Sequence, residues 1–361
     1  MRIGIDAREL CGKPTGVGRH LAGLLGAWEG SARAERHTFV LFAPHTPLIA
    51  LPRNAGVRVV PGAGGTLWEQ LALTRAANKE KLDVFFAPGY TAPLRLAVPS
   101  VVLVHDLSFV SHPEWFRLRE GLRRRLLTKW SGTRAKIVLT VSEAARQEIV
   151  DTFGLPAHRV RCVYPGISKL TAGDTGPSSR VPLVLFAGSI FNRRHVPDLI
   201  EAFTRVHHAH PDARLEIVGD NRTHPHQELA SIAAAEGLQD VVSIRSYVPD
   251  ETLADLYRRA RAFAFLSEYE GFGHPPLEAL ASGVPGVLLD TPVARETCLD
   301  AALYVTCQIK AIADALDTLL SDEAARARLL RAAPGVLARY SWANAAQRTL
   351  EVIEDAAGRR D

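Results

Sequence analysis

A chain of 361 residues, 47% hydrophobic and 23% charged, has the composition of an ordinary globular protein and the length of two or three domains, long enough to bury a core without staples. Cys11, Cys162, Cys298 and Cys307 show no CxxC spacing, which speaks against a zinc ribbon, a thioredoxin-type site or a secreted disulfide scaffold. The net charge is only +4, no apolar run approaches the roughly 18–20 residues that cross a bilayer, and Met1–Asp6 lacks the pattern of a signal peptide, so a cytoplasmic chain is expected.

The small net charge conceals an asymmetry. Residues 1–170 carry 24 basic and 13 acidic side chains, whereas residues 171–361 carry 19 and 26. The first half is therefore expected to meet something anionic, with phospholipid, nucleic acid and a phosphorylated substrate as candidates. Between the halves, Pro165-Gly166 and the run Thr171–Ser179 interrupt the periodic pattern and read as a linker. Strands are predicted at Arg2–Asp6, Thr38–Phe42, Val57–Val60, Val84–Ala87, Val101–His105, Ile137–Val141 and Val160–Tyr164. The second half adds Leu183–Ala187, Leu215–Val218, Val242–Arg245, Ala262–Leu266 and Val284–Leu289. Such runs, apolar rather than alternating and followed by helical patterns, fit parallel strands covered on both faces. The fold class is α/β: two doubly wound, Rossmann-like domains, with ligands beyond the carboxyl ends of the strands and in the cleft between the domains.

Candidate site residues follow the strands in order. After Asp6, the loop Gly12-Lys13-Pro14-Thr15-Gly16-Val17-Gly18-Arg19-His20 opens a helix marked by Leu21, Leu24, Leu25 and Trp28. Glycine lets backbone N–H groups approach a phosphate or sugar, and a plain surface loop explains the same composition. The loop is too long for a nicotinamide fingerprint, and the second strand ends without a ribose-binding acid. His105 and Asp106 end the fifth strand, where an imidazole can meet substrate hydroxyls or phosphate, or else be a core histidine satisfied by its neighbours. In the stretch 114–130, Trp115, Leu118, Leu122, Leu126 and Trp130 share a helical face, with Arg117, Arg119, Arg123, Arg124, Arg125 and Lys129 around it. This pattern fits a helix lying on an anionic membrane and equally a helix packed on the sheet, and Gly121 interrupts it. Nucleic acid is not expected, because no reading motif accompanies the charge.

Gly188 ends the first strand of the second half and leads through Ser189-Ile190-Phe191-Asn192 to Arg193, Arg194 and His195, then a helix to about Phe203. Two guanidiniums there suit a diphosphate, although a solvated basic pair has the same sequence. The densest signal runs from Ser267 to Gly283. A strand enters a Gly271-Phe272-Gly273 loop, Pro275 and Pro276 suit a first helical turn, and Glu270 and Glu278 bracket the loop eight residues apart. Carboxylates so placed can each bind vicinal hydroxyls of a sugar or ribose, while Glu278 could also serve the helix dipole. The histidines at 207, 208, 210, 224 and 226 lack the Cys or carboxylate company of a metal site, and no metal is expected.

Taken together, these stretches resemble the retaining GT-B-fold glycosyltransferases of family 4, and within it bacterial mannosyltransferase-like enzymes of polysaccharide and O-antigen assembly. The resemblance rests on Ile5–Arg8 with Thr15–Arg19, Val104–Leu107 with His112–Trp115, Val141–Glu143, Val163–Gly166, Phe186–Gly188, Arg193-Arg194, Leu199–Phe203, Ile217–Gly219 and Glu270–Pro285. It implies domains at 1–168 (acceptor side), 169–180 (linker) and 181–340 (nucleotide-sugar side), with a last helix at 341–361 returning to the first. The implied reaction moves a hexose, mannose from GDP-mannose first, onto a hydroxyl of a glycan or lipid-linked glycan without a metal or other cofactor.

By the same resemblance Glu270 contacts the donor sugar and Glu278 the ribose. Gly188, Gly271, Phe272 and Gly273 face the donor, and Arg193 and Arg194 neutralise its diphosphate. Gly16 and Gly18 close over it, and His105 with Asp106 lies on the acceptor side. Arg194 stands where the family usually has Lys, His195 where Asn is common, and Ser189 where some relatives have Arg. A nucleotide-sugar 2-epimerase and a non-catalytic sugar-nucleotide sensor are the alternatives. Contact with the inner face of a membrane is expected to run through residues 114–130.

Overall fold

The computed structural model describes residues 1–12, 15–167 and 180–358. Lys13 and Pro14 of the glycine loop, and all of the segment 169–180 except Arg180, therefore lie outside the described residues. Two compact units divide the chain: Met1–Gly166 with Tyr340–Asp361, and Ile167–Arg339.

In the first unit the strands are β1 (Arg2–Asp6), β2 (Thr38–Ala43), β3 (Ala55–Val59), β4 (Val84–Ala87), β5 (Ser100–Leu103), β6 (Ile137–Thr140) and β7 (Val160–Cys162). All pair in parallel, in the order β3-β2-β1-β4-β5-β6-β7. The side chains of β1, β2, β4, β5 and β6 are largely buried, with Ile3, Ile5, Phe39, Phe42, Phe85 and Phe86 fully enclosed, which is why these runs read as apolar, whereas the edge strand β3 is mostly exposed. The second unit repeats the plan with β8 (Leu183–Ala187), β9 (Arg214–Val218), β10 (Val242–Arg245), β11 (Ala262–Phe265), β12 (Gly286–Leu289) and β13 (Ala302–Val305), in the order β10-β9-β8-β11-β12-β13. Both sheets are the doubly wound arrangement expected from the sequence. In each, strand order reverses beside the first strand, between β1 and β4 and between β8 and β11, and loops leaving those strands part to open a crevice.

The helix over Trp342–Ala356 belongs to the first unit and covers the helix over Gly16–Trp28. Trp28 Nε1 donates to the Ala346 carbonyl at 3.0 Å. The Trp342 ring fills space that only glycine leaves open: a Cβ at Gly23 would stand 2.5 Å from it, and one at Gly166 2.3 Å. Arg33 and His37 both bind Glu354, and Arg161 Nη1 meets Asp355 at 2.6 Å, so ion pairs edge an apolar seam.

Two expectations need correction. β13 was not predicted, because its burial is incomplete at Leu303 and Tyr304 and its apolar run is short, as befits an edge strand. The single helix over residues 114–130 is instead a 3-10 turn at Pro113–Trp115 followed by a helix over Leu118–Arg134. Trp115 therefore stands outside the helix, and Gly121 lies inside it, buried where a Cβ would press on Phe116 Cβ at 3.3 Å. The inward face of that helix is made of Gly121, Thr128, Ser131 and Gly132. Its leucine stripe points the other way: Leu118 is 86% exposed, Leu122 55% and Trp130 48%. Arg123 Nη1 donates to Thr66 Oγ1 at 2.9 Å, beside the exposed Leu67. Among the described residues no helix is long and apolar enough to cross a membrane.

Candidate active site

The second sheet brings two of the sequence's candidates into direct contact. Arg194 lies in a 3-10 turn, Asn192–Arg194, on the loop leaving β8, and Glu270 lies on the loop leaving β11. These strands flank the reversal of strand order, so residues 76 apart in sequence meet. Arg194 Nε and Nη2 donate to Glu270 Oε1 at 3.0 and 2.7 Å, and Ser267 Oγ donates to the same oxygen at 2.9 Å. The third guanidinium nitrogen, Nη1, donates to the Ser189 carbonyl at 2.6 Å. The guanidinium also lies over Phe265, 4.7 Å from the ring centroid, which orients its plane. Both side chains are mostly enclosed, at 9% and 17% exposure. One carboxylate oxygen is thus saturated, whereas Glu270 Oε2 accepts no hydrogen bond among the described residues. A carboxylate held rigidly by one oxygen and available through the other is built to bind hydroxyl groups or to face developing positive charge.

The backbone beneath this pair leaves no room for larger residues. Gly188 has φ +136°, and a Cβ there would stand 2.8 Å from Arg194 Nη1. Gly219, which follows β9, would place a Cβ 1.9 Å from the Gly188 carbonyl oxygen. Arg193 turns differently from its neighbour: its guanidinium stacks over Phe191 at 4.5 Å, and its carbonyl accepts the Glu268 amide at 3.0 Å. Gly273 is left-handed, φ +87°, and starts the short helix His274–Ala281 with a proline in its first turn. Phe272 is buried against His274, and Glu278 is half-buried on that helix. A cavity of about 20 Å³, room for one water, touches Glu270, Phe272, Gly273 and Thr291.

In the first unit, His105 and Asp106 follow β5. His105 Nε2 and the Pro88 carbonyl are 3.0 Å apart, which assigns the proton to Nε2 and leaves Nδ1 as the acceptor of a neutral ring. Burial holds its pKa below the usual imidazole range, against the opposing pull of Pro88 and Asp106. Its ring contacts are His20, at 5.3 Å, and Tyr90, at 5.5 Å. Asp106 is committed on both oxygens, accepting from the Ser108 amide and hydroxyl and from Tyr90 OH at 2.8 Å. Gly16 begins its helix with open space around it, but the Gly18 amide is taken by Thr15 Oγ1 at 2.9 Å. Gly18 is also required for packing, since a Cβ would stand 2.3 Å from the Glu9 carbonyl oxygen.

Asp6 and Arg8 form a structural knot with the buried Glu69. Arg8 Nη2 meets Glu69 Oε1 at 2.5 Å and Nη1 donates to the Gly64 carbonyl. Burial would lower the Arg8 pKa, but the two carboxylates override it and raise it. Sequence reading assigned no role to Ser267 or Tyr90. Their signal was positional: each follows, within three residues, a strand that borders a reversal point. A larger cavity, about 760 Å³, lies elsewhere, beside Ser100 and Ile137 at the amino ends of β5 and β6.

Family models match both units. Residues 14–169 match "Glycosyltransferase Family 4" and residues 172–335 match "Glycosyl transferases group 1". The chain is 28% identical over 289 residues to O-antigen chain mannosyltransferase B of Escherichia coli, covering 75% of this chain and 74% of that protein. It is 28% identical over 204 residues to O-antigen chain mannosyltransferase RfbU of Salmonella typhimurium, covering 56% of each. In structure it superposes on Anabaena Alr3699/HepE, solved in complex with UDP and glucose, with a TM-score of 0.76. That match covers 98% of this chain and 100% of the other at 19% identity, a likeness of fold.

Proposed function

Because this chain belongs to glycosyltransferase family 4, has the GT-B fold and transfers a sugar from a nucleotide-sugar donor, we propose that it moves a hexose with retained configuration onto a hydroxyl of a glycan or lipid-linked glycan. The favoured donor is GDP-mannose, supported by the kinship to two O-antigen mannosyltransferases. The observation that carries the reading is the Arg194–Glu270 pair at the strand-order reversal of the second sheet, with Glu270 Oε2 available.

In this reading the second unit, about residues 181–340, binds the donor. Arg193 and Arg194 neutralise the diphosphate, the amides of Gly271, Phe272 and Gly273 face it with Gly188 lining the same site, and Glu278 takes the ribose. As the bond from the anomeric carbon to the β-phosphate oxygen breaks, its electron pair leaves with the phosphate. The fixed guanidiniums stabilise that charge more in the transition state than in the ground state, without need of a metal. Glu270 supports the positive charge left on the sugar. The acceptor oxygen then bonds to the anomeric carbon from the face the phosphate left, and its proton passes to the departing phosphate. The first unit binds the acceptor, with His105 Nδ1 accepting from a hydroxyl and Asp106 holding Tyr90; Gly16 and Gly18 belong to the donor side of that unit.

A thermal-shift screen against GDP-, UDP- and dTDP-sugars tests the donor, since a ligand at 100 times its Kd stabilises the fold by about 2.7 kcal/mol. GDP-mannose is expected to give the largest shift and, with acceptor, an α-linked product visible by NMR. A shift confined to UDP-glucose would move the donor to the class seen with HepE, and a β-linked product would end the retaining mechanism.

The outward leucine stripe of Leu118–Arg134 among its arginines supports a membrane seat, as a lipid-linked acceptor would require. We expect this helix to seat the enzyme on the inner face of an anionic membrane. Cosedimentation with phosphatidylglycerol vesicles is expected at low salt, weakening as salt rises. The double variant Leu118→Ser/Leu122→Ser should lose it while keeping its melting temperature, because both residues are exposed. Binding unaltered by that change would place the membrane contact elsewhere.

A further inference from the structure

His195 takes part in a second cluster that sugar transfer does not use. This residue is left-handed, φ +47°, and starts the helix Val196–Ala209. Its Nδ1 lies 2.9 Å from Asp198 Oδ2, a short-range pair that could be no more than a helix-terminal contact. Two further groups arrive from distant parts of the chain. Cys307, just after β13, donates Sγ–H to the same Asp198 oxygen at 3.4 Å. Glu268, on the loop after β11, places Oε2 3.4 Å from His195 Nε2. The donor atoms of His195, Asp198 and Cys307 all lie within 4.8 Å of one another.

We propose that His195, Asp198 and Cys307 form a binding site for a zinc-class divalent ion, with Glu268 as the carboxylate that orients the histidine from behind. Tetrahedral zinc, with bonds of about 2.0–2.3 Å, separates its donor atoms by roughly 3.3–3.8 Å. The sulfur-to-oxygen spacing already has that value, and the nitrogen-to-oxygen spacing needs to open by about half an ångström. A set of one sulfur, one imidazole nitrogen and one carboxylate suits zinc, cobalt or a similar ion and disfavours magnesium and calcium, which take oxygen alone. A carboxylate on the far nitrogen of a ligating histidine fixes the ring and strengthens it as a ligand. On binding, the Cys307 S–H bond breaks, its proton goes to water, and the sulfur's electron pair forms the bond to the metal.

The site would tie together the segments leaving β8, β11 and β13. Two of these carry Arg194 and Glu270, and the Glu268 amide already donates to the Arg193 carbonyl at 3.0 Å. Metal occupancy is therefore a means of stiffening the donor-side loops, and it stands apart from the identity of the donor.

Cobalt(II) titration of the full chain, kept reduced with a phosphine, is the test. A saturable one-to-one near-ultraviolet band from thiolate-to-cobalt charge transfer is expected, displaced by zinc. Cys307→Ser should abolish the band, Cys11→Ser should keep it, and Glu268→Gln should weaken cobalt binding about 10–100-fold. Cys307 is exposed, so the serine variant should fold; circular dichroism checks this, and if it fails, the Glu268→Gln affinity decides. Absence of a saturable band, its survival in a folded Cys307→Ser protein, or undiminished affinity in Glu268→Gln would overturn the site.

Discussion

Arg194→Ala is expected to lower kcat by about 10²–10³-fold, the loss usual when one preorganised group facing transition-state charge is removed. It should also destabilise the fold, and the two losses have different origins. Without the guanidinium, Glu270 Oε1 keeps only the Ser267 hydroxyl, and a mostly enclosed carboxylate loses its counter-charge. Breaking a buried pair on one side costs about 3–5 kcal/mol; with Glu270 17% exposed, the lower end is expected. A double-mutant cycle with Glu270→Gln separates the effects. The neutral amide should recover most of the stability lost by Arg194→Ala and none of its turnover, because stability needs charge balance and catalysis needs the cation. Arg194→Lys keeps charge but cannot bind Glu270 through two nitrogens while a third holds the Ser189 carbonyl, so it should fall between. Urea unfolding and steady-state kinetics on the three single variants and the double variant suffice. Turnover in Arg194→Ala within a few-fold of the parent would remove the cation from the mechanism.

Gly219→Ala is expected to be the most damaging of the small substitutions, at about 3 kcal/mol, the upper end for overpacking. Its new methyl would stand 1.9 Å from the Gly188 carbonyl oxygen and 2.7 Å from the carbon, both backbone atoms that cannot swing aside. The surroundings are pinned as well. The Gly219 amide donates to the Arg245 carbonyl at 2.8 Å, and the Gly188 amide donates to the Val218 carbonyl at 2.9 Å. Relief must come from displacing Gly188 and Ser189, which carry the carbonyl that holds Arg194 Nη1, so donor affinity should fall with stability. A melting temperature lower by roughly 6–12 °C is expected for a unit of this size. Gly335→Ala is the control. That glycine lies exposed in the helix Glu323–Leu337, with nothing near its Cβ position, and the change should stabilise by up to about 1 kcal/mol. If both variants melt at the parental temperature, the close approach at Gly219 is not a constraint.

Legibility differed by the range of the interaction. The strands were readable to within two or three residues because parallel strands covered on both faces must be apolar at every position, as Leu183–Ala187 and Val84–Ala87 are. The helix start at His274 was readable from its proline turn, whereas the stretch read as a loop from Gly12 to His20 is helical from Gly16, where Thr15 caps the Gly18 amide. The stretch 114–130 shows the limit. Its apolar spacing is real, but periodicity does not say which face the sheet receives, and here the small residues Gly121, Ser131 and Gly132 went inward. The cluster of His195, Asp198, Glu268 and Cys307 was unreadable for another reason: only His195 and Asp198 share a local spacing, and Glu268 and Cys307 arrive from two distant segments.

From residue order alone came the α/β class, the two parallel sheets, the family resemblance and the segments likeliest to meet a ligand by position: loops at carboxyl ends of strands. Those features are written in local spacing, which each stretch of chain expresses without knowledge of the rest. Folding decided which of those loops meet. Strand order placed β11 beside β8 rather than β10, and this adjacency joined Arg194 to Glu270, saturated one carboxylate oxygen and left the other available. Such contacts depend on distance in space between residues far apart in the chain, a quantity no local pattern contains.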